Sequence, residues 1–172
     1  GKVLGYVYTC YGVNHCDPSV PAVRTAAQVI EDALKYQTLF NVDGIFLDEM
    51  SNVDSPSVLA FYEEVARGLK AINSSWQVVG NAGATTPANY LNYVQTVVTF
   101  EQTQQMHTTA LQADWALEKS ARSQAHIVYG ASTAVEMQAA LTKAQEQNVL
   151  YFYATDDVKP NQYDRLPTYW LE

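Results

Sequence analysis

Short apolar runs alternate along the chain with longer stretches whose apolar residues recur near a 3.6-residue period. The short runs cover residues 3–9, 44–48, 77–81, 97–101, 126–129 and 149–154. Most carry Val, Ile, Phe or Tyr, the side chains that fit a pleated strand. Gly44-Ile45-Phe46-Leu47 and the run from Val149 to Ala154 are apolar on both faces, as in parallel strands covered on both sides. Residues 22–39 set Val23, Ala26, Ala27, Ile30, Leu34 and Tyr36 near one helical stripe, with Pro21 at a first-turn position. Residues 56–72 do the same with Leu59, Tyr62, Val65, Ala66, Leu69 and Ile72, behind Ser55 as cap and Pro56 in the first turn. Two further helices are predicted over 108–120 and 133–147, the second opened by Ser132 or Thr133, and a short helix near Pro87. Strand–helix alternation predicts an α/β fold with a parallel sheet. Two architectures compete, an open doubly wound sheet and a (β/α)8 barrel. Six predicted strands fall short of eight, and 172 residues fall short of the roughly 200–250 of a barrel, so the pattern by itself favours the open sheet.

Composition narrows the function classes. At 48% hydrophobic and 16% charged, the chain is globular and large enough to bury a core as one domain. A net charge of -8 argues against binding a nucleic-acid backbone or an anionic membrane surface. No apolar run is long enough to span a bilayer, and no basic-then-apolar leader opens the sequence. No glycine-rich phosphate fingerprint follows a strand, which disfavours a nucleotide-binding protein. His15, His107 and His126 lack metal-ligand spacing, and no G-x-S-x-G occurs, so neither a metal site nor a serine triad is expected. No metal or organic cofactor is predicted.

In both architectures ligands bind at the C-terminal ends of the strands. Those ends carry Thr9-Cys10-Tyr11-Gly12, Asp48-Glu49, Asn81, Glu101 and Thr155-Asp156-Asp157. Carboxylates that follow apolar strands fit a general acid and a nucleophile or base, and each alone also fits capping or loop solvation. Strand alternation puts Asp48 and Glu49 on opposite faces unless the strand ends between them. Tyr6 and Tyr8 share a face, with Tyr11 just beyond; such rings stack on sugars or sit in a core with the hydroxyl at its edge. Cys10 and Cys16 are spaced for a short disulfide across the rim loop, or stand as two free thiols. Asn73-Ser74-Ser75 is a glycosylation sequon, and with the cysteines it leans towards a secreted or cell-surface protein.

Four stretches carry a resemblance. They are Val3-Leu4-Gly5-Tyr6-Val7-Tyr8-Thr9 with Tyr11-Gly12, then Asp43-Gly44-Ile45-Phe46-Leu47-Asp48-Glu49. The third is Val79-Gly80-Asn81-Ala82-Gly83 with Thr96-Val97-Val98-Thr99-Phe100-Glu101, and the fourth runs from Tyr153-Ala154-Thr155-Asp156-Asp157 to Tyr163-Asp164-Arg165-Leu166-Pro167-Thr168-Tyr169-Trp170. In that order they resemble the spherulin-4-like family of secreted proteins, which includes glycoside hydrolases. The resemblance implies a (β/α)8 barrel over a single domain, residues 1–172, that here lacks its first two strand–helix units; a further chain or segment would supply those strands. It implies endo-acting cleavage of α-linked N-acetylgalactosamine polymers such as galactosaminogalactan. Asp48, Glu49 and Glu101 match the family's essential acids. On this reading Asp48 is the nucleophile of a retaining mechanism, Glu101 the acid/base, and Glu49 a group that orients the sugar or tunes a pKa. Tyr6, Tyr8, Tyr11, Asn81 and Asp156 are the expected substrate contacts. Two positions depart from the family pattern: Asn14 stands where a basic residue is usual, and Ala82 where a proline is. The alternative is a non-catalytic polysaccharide-binding protein of a cell wall or spore coat.

Overall fold

The computed structural model describes residues 1–12 and 23–170. The first strands and helices are β1 (Leu4–Tyr8), α1 (Ala26–Phe40), β2 (Gly44–Asp48), α2 (Pro56–Ile72) and β3 (Gln77–Asn81). They are followed by β4 (Thr96–Thr103), α3 (Gln104–His107), β5 (Gln124–Tyr129), α4 (Ala134–Glu146) and β6 (Tyr151–Ala154). The sheet order is the chain order, β1 to β6, with β1 and β6 at its two edges. The pairs β1·β2, β2·β3 and β5·β6 are parallel. The chain is therefore α/β with an open six-stranded sheet among the described residues. Its contacts fall into two compact units, Gly1–Ala82 with Thr86–Val97, and Gly83–Thr85 with Val98–Glu172.

In the first unit the period-2 alternation of the strands decides what each face does. Val7, Ile45, Leu47 and Val78 point to one face, where Val29 and Ala33 of α1 and Val58, Tyr62, Val65 and Leu69 of α2 complete the buried core. Tyr6, Tyr8, Phe46 and Asp48 share the other face, since Tyr6 lies beside Phe46 and Tyr8 beside Asp48 in the register. Gly5 lets the Tyr36 ring lie flat on β1; a β-carbon there would come within 2.5 Å of the ring. The helix starts follow local chemistry. Thr25 closes a capping box with Gln28 and so begins α1 at Ala26, later than the predicted residue 22. Pro21, the expected first-turn residue, lies outside the described residues. Ser55 caps α2 with Pro56 in the first turn, as the sequence predicts. The short helix near Pro87 is a 3₁₀ turn, Ala88–Asn92.

In the second unit, Val128, Ala140 and Ala154 pack with Phe100, Met137 and Phe152. Thr133, not Ser132, caps α4. The helix predicted over 108–120 does not form. Only Gln104–His107, just before it, is helical. The reason is tertiary. Lys143 Nζ donates to the Thr108 carbonyl, Gln147 Nε2 to Ala110, and Asn148 Nδ2 to Ala116 and Lys119. Carbonyls that a helix would satisfy internally are satisfied from α4 and the turn after it, while buried Ala113, Trp115 and Ala116 anchor the segment.

Candidate active site

The sharpest local geometry is at the C-terminal end of β2. The strand ends at Asp48, and Glu49 takes a left-handed backbone, φ +51°. Non-glycine residues rarely adopt it, at a cost of order 1–3 kcal/mol, and it persists only where the surroundings over-determine it. Here they do. The Asp48 carbonyl accepts from Thr9 N–H and the Glu49 carbonyl from Tyr11 N–H, both at 2.8 Å. Thr9 Oγ1 also donates to the Glu49 carbonyl, at 2.8 Å. On the other side Met50 N–H donates to the Asn81 carbonyl at 2.8 Å. The Met50 side chain fills the space that Gly80 leaves open; a β-carbon at Gly80 would approach Met50 Sδ to 2.3 Å. Cys10 and Tyr11 are themselves left-handed, both at φ +55°, which brings the Tyr11 amide onto Glu49. The turn therefore breaks the strand alternation at the junction between the two acids.

Asp48 is held on both oxygens. Tyr6 Oη donates to Oδ2 at 2.6 Å from β1, and Asn81 Nδ2 donates to Oδ1 at 2.8 Å from β3. Two of the expected sugar contacts thus orient a carboxylate. The Tyr6 ring, 52% exposed, also stacks on Phe46 at 6.4 Å between centroids. Glu49 is placed differently. Its Oε2 is buried and has no hydrogen-bond partner among the described residues. Desolvation, and then the charge of Asp48, push its pKa above the usual carboxylate value; the Arg24 charge opposes them. Arg24 lies 4.0 Å from the centroid of the Tyr8 ring and pairs with Asp32 at 2.5 Å. Beneath the turn, Ser51 N–H donates to Tyr62 Oη, which is 3.0 Å from Thr9 Oγ1. Since the Thr9 proton goes to Glu49, Tyr62 is the donor to Thr9. Burial first among causes pushes the Tyr62 phenol up to about 12, so it keeps the proton it donates.

The second unit holds Glu101 and Asp156. Tyr163 Oη donates to Glu101 Oε1. Asp156, an expected substrate contact, is bound by its own chain. Arg165 Nη1 donates to Oδ1 at 3.0 Å, Thr168 Oγ1 to Oδ2 at 2.8 Å, and Thr168 N–H to Oδ1 at 3.2 Å. Burial raises the Asp156 pKa, but the hydrogen bonds from Arg165 and Thr168 outweigh it and the net shift is downward. His107 and His126, which carry no metal-ligand spacing, form a buried pair with Nε2 and Nδ1 3.0 Å apart. Among the described residues no group of three or more His, Cys, Asp or Glu could hold a metal ion, and no helix is long and apolar enough to cross a membrane.

Tyr8 and Tyr11 are 41% and 44% exposed, so they are not core residues. Cys10 is buried; Cys16 and Asn14 lie outside the described residues. Asn73 caps the end of α2, its Oδ1 accepting from Ser75 N–H and Oγ. The residues that sequence reasoning gave no role are Arg24, Tyr62, Tyr163 and Arg165. Tyr163 and Arg165 sit inside the C-terminal motif, which is the one signal that marks them; Arg24 and Tyr62 have none beyond their helix patterns.

The whole chain, residues 1–172, matches the sequence profile of spherulation-specific family 4. Among solved structures, the crystal structure of Aspergillus clavatus Sph3 in complex with GalNAc shares the fold with a TM-score of 0.72 at 20% identity. That match covers 98% of this chain and 69% of the other. No curated protein matches the chain.

Proposed function

The chain belongs to spherulation-specific family 4, and from that premise we propose that it is a secreted glycoside hydrolase that cuts within α-linked polymers of N-acetylgalactosamine. The observation that carries the reading is the end of β2. An Asp clamped on both oxygens by Tyr6 and Asn81 stands next to a Glu with a buried oxygen that has no hydrogen-bond partner among the described residues. A carboxylate fixed on both oxygens, beside a carboxyl whose pKa burial raises, marks this strand end as a built acidic site where ligands of α/β folds bind. The fold shared with a protein that binds GalNAc supports the sugar class.

Asp48 is the proposed nucleophile. Its two hydrogen bonds fix the orientation in which it attacks the anomeric carbon. Burial, and then the Asp48 charge, raise the Glu49 pKa above the usual carboxylate value, and its proposed part is to orient the sugar or tune the pKa of its neighbours. Glu101, matched by motif, is the proposed acid/base that protonates the leaving oxygen and then activates water. The reaction draws on no cofactor.

Release of oligosaccharides from galactosaminogalactan tests this. The wild type cleaves, with the α configuration kept in the first-formed product. Asp48→Asn and Glu101→Gln each lose at least about 100-fold in rate, the scale of a missing acid–base or nucleophilic group. Polymer binding with no cleavage by the wild type supports the polysaccharide-binding alternative. Equal activity in all three proteins refutes the assignment of the acids.

A further inference from the structure

The segment after β6 does more than close the chain. Its backbone is tied to the end of β5: Thr155 N–H donates to Val128 at 2.9 Å, Gly130 N–H to Asp157 at 2.9 Å, and Ala131 N–H to Thr155 at 3.0 Å. From that base it is folded back by a clasp. Asp156 accepts from Arg165 and from both the backbone and side chain of Thr168, and Arg165 Nε reaches Asp157 Oδ2 at 3.2 Å. Gln162 and Tyr169, each 9% exposed, anchor it on either side of Tyr163. The Tyr163 ring rests against Tyr153 of β6, 6.2 Å between centroids, and its backbone N–H donates to Asn161 Oδ1. What this arrangement presents is one phenol, aimed at Glu101 Oε1.

We propose that Tyr163 is a positioning residue for Glu101, held in place by the Asp156–Arg165–Thr168 clasp. This rests on the reading of Glu101 as the acid/base. A Glu side chain has three rotatable bonds, and freezing them in the productive rotamer is an entropy cost that the clasp meets before substrate arrives. The hydrogen bond also chooses between the two oxygens. With Oε1 accepting from Tyr163, the proton of the acid form resides on Oε2. When the glycosidic C1–O bond breaks, that proton passes from Oε2 to the departing oxygen while the nucleophile forms its bond to C1. The carboxylate left behind keeps the Tyr163 hydrogen bond on Oε1. In the second step Oε2 takes a proton from the attacking water as the sugar leaves the nucleophile. Tyr163 keeps its own proton throughout.

Tyr163→Phe removes the hydroxyl and keeps the ring on Tyr153. Its kcat on galactosaminogalactan falls roughly 10- to 100-fold, the worth of one hydrogen bond to a charged group, with KM within about twofold. In a Glu101→Gln background the same substitution changes kcat by less than about twofold, because Gln still accepts the hydrogen bond but has no proton-transfer function left to position. A wild-type kcat in Tyr163→Phe, or an equal loss in both backgrounds, overturns the role while leaving Glu101 as the acid/base. Full activity in Glu101→Gln overturns the reading of Glu101, and the role of Tyr163 with it.

Discussion

Glu49 carries two costs at once. Its backbone is left-handed at φ +51°, and its carboxyl is desolvated beside Asp48. The four backbone and side-chain ties around it meet the first. The second remains and has a definite pH dependence. Because the folded-state pKa of Glu49 is raised above its ordinary value of 4.5, ionising it disfavours folding. That destabilisation is absent below the unfolded-state value and grows as pH rises through the raised pKa. Glu49→Gln cannot ionise. It is therefore more stable than the wild type at neutral pH, and the difference closes as the pH falls below 4.5. Thermal melts of the two proteins across that range check this; a gap independent of pH would show that the carboxyl's charge is not its source. A more stable variant with less activity would also mark this turn as strained for function.

Elements obey local pattern where their contacts are local. The strands were legible because residues such as Ile45, Leu47 and Val78 alternate or run apolar as buried parallel strands do. The segment 108–120 was not, because Lys143, Gln147 and Asn148 take its carbonyls, and nothing in its own residues announces those partners. The site divides the same way. Asp48-Glu49 was legible as a pair of acids after a strand. Its left-handed turn was not, since Glu has no preference for that backbone. Tyr6 and Asn81 were legible as rim residues, but their use on Asp48 depends on a strand register the sequence does not state. The His107–His126 pair, joining α3 to β5, is another such contact, and it sets a property of the second unit. Phe100 and Phe152 flank His107, and Phe100 also lies against His126. Burial, with the Lys143 charge behind it, lowers His107 to about 4; burial, then His107 and Lys143, lowers His126 to about 3. Both are neutral when folded and charge more readily when unfolded, at the ordinary imidazole value of 6.5. Their contribution is thus complete above 6.5 and is lost as pH falls towards 4 and 3. Urea midpoints should fall over that window, and the double variant His107→Phe/His126→Leu should flatten the fall. An unchanged slope would assign the acid sensitivity to other groups.

For the molecule as a whole the deciding quantity is charge. Eighteen acidic residues against ten basic give -8. A polymer of N-acetylated sugars is neutral and feels none of this. A partly deacetylated polymer carries ammonium groups and is drawn in by the long-range field. Salt separates the two cases, because the screening length falls from about 10 Å at 0.1 M to about 3 Å at 1 M. For the partly deacetylated polymer, kcat/KM drops several-fold over that range, carried by KM, since encounter is screened while the bound complex is little affected. For the fully acetylated polymer it stays flat. Initial rates of reducing-end release on both polymers, at the two salt concentrations, measure the contrast. An equal fall on both would place the salt effect on the protein, and a flat response on both would mean that the net charge serves solubility and not substrate choice.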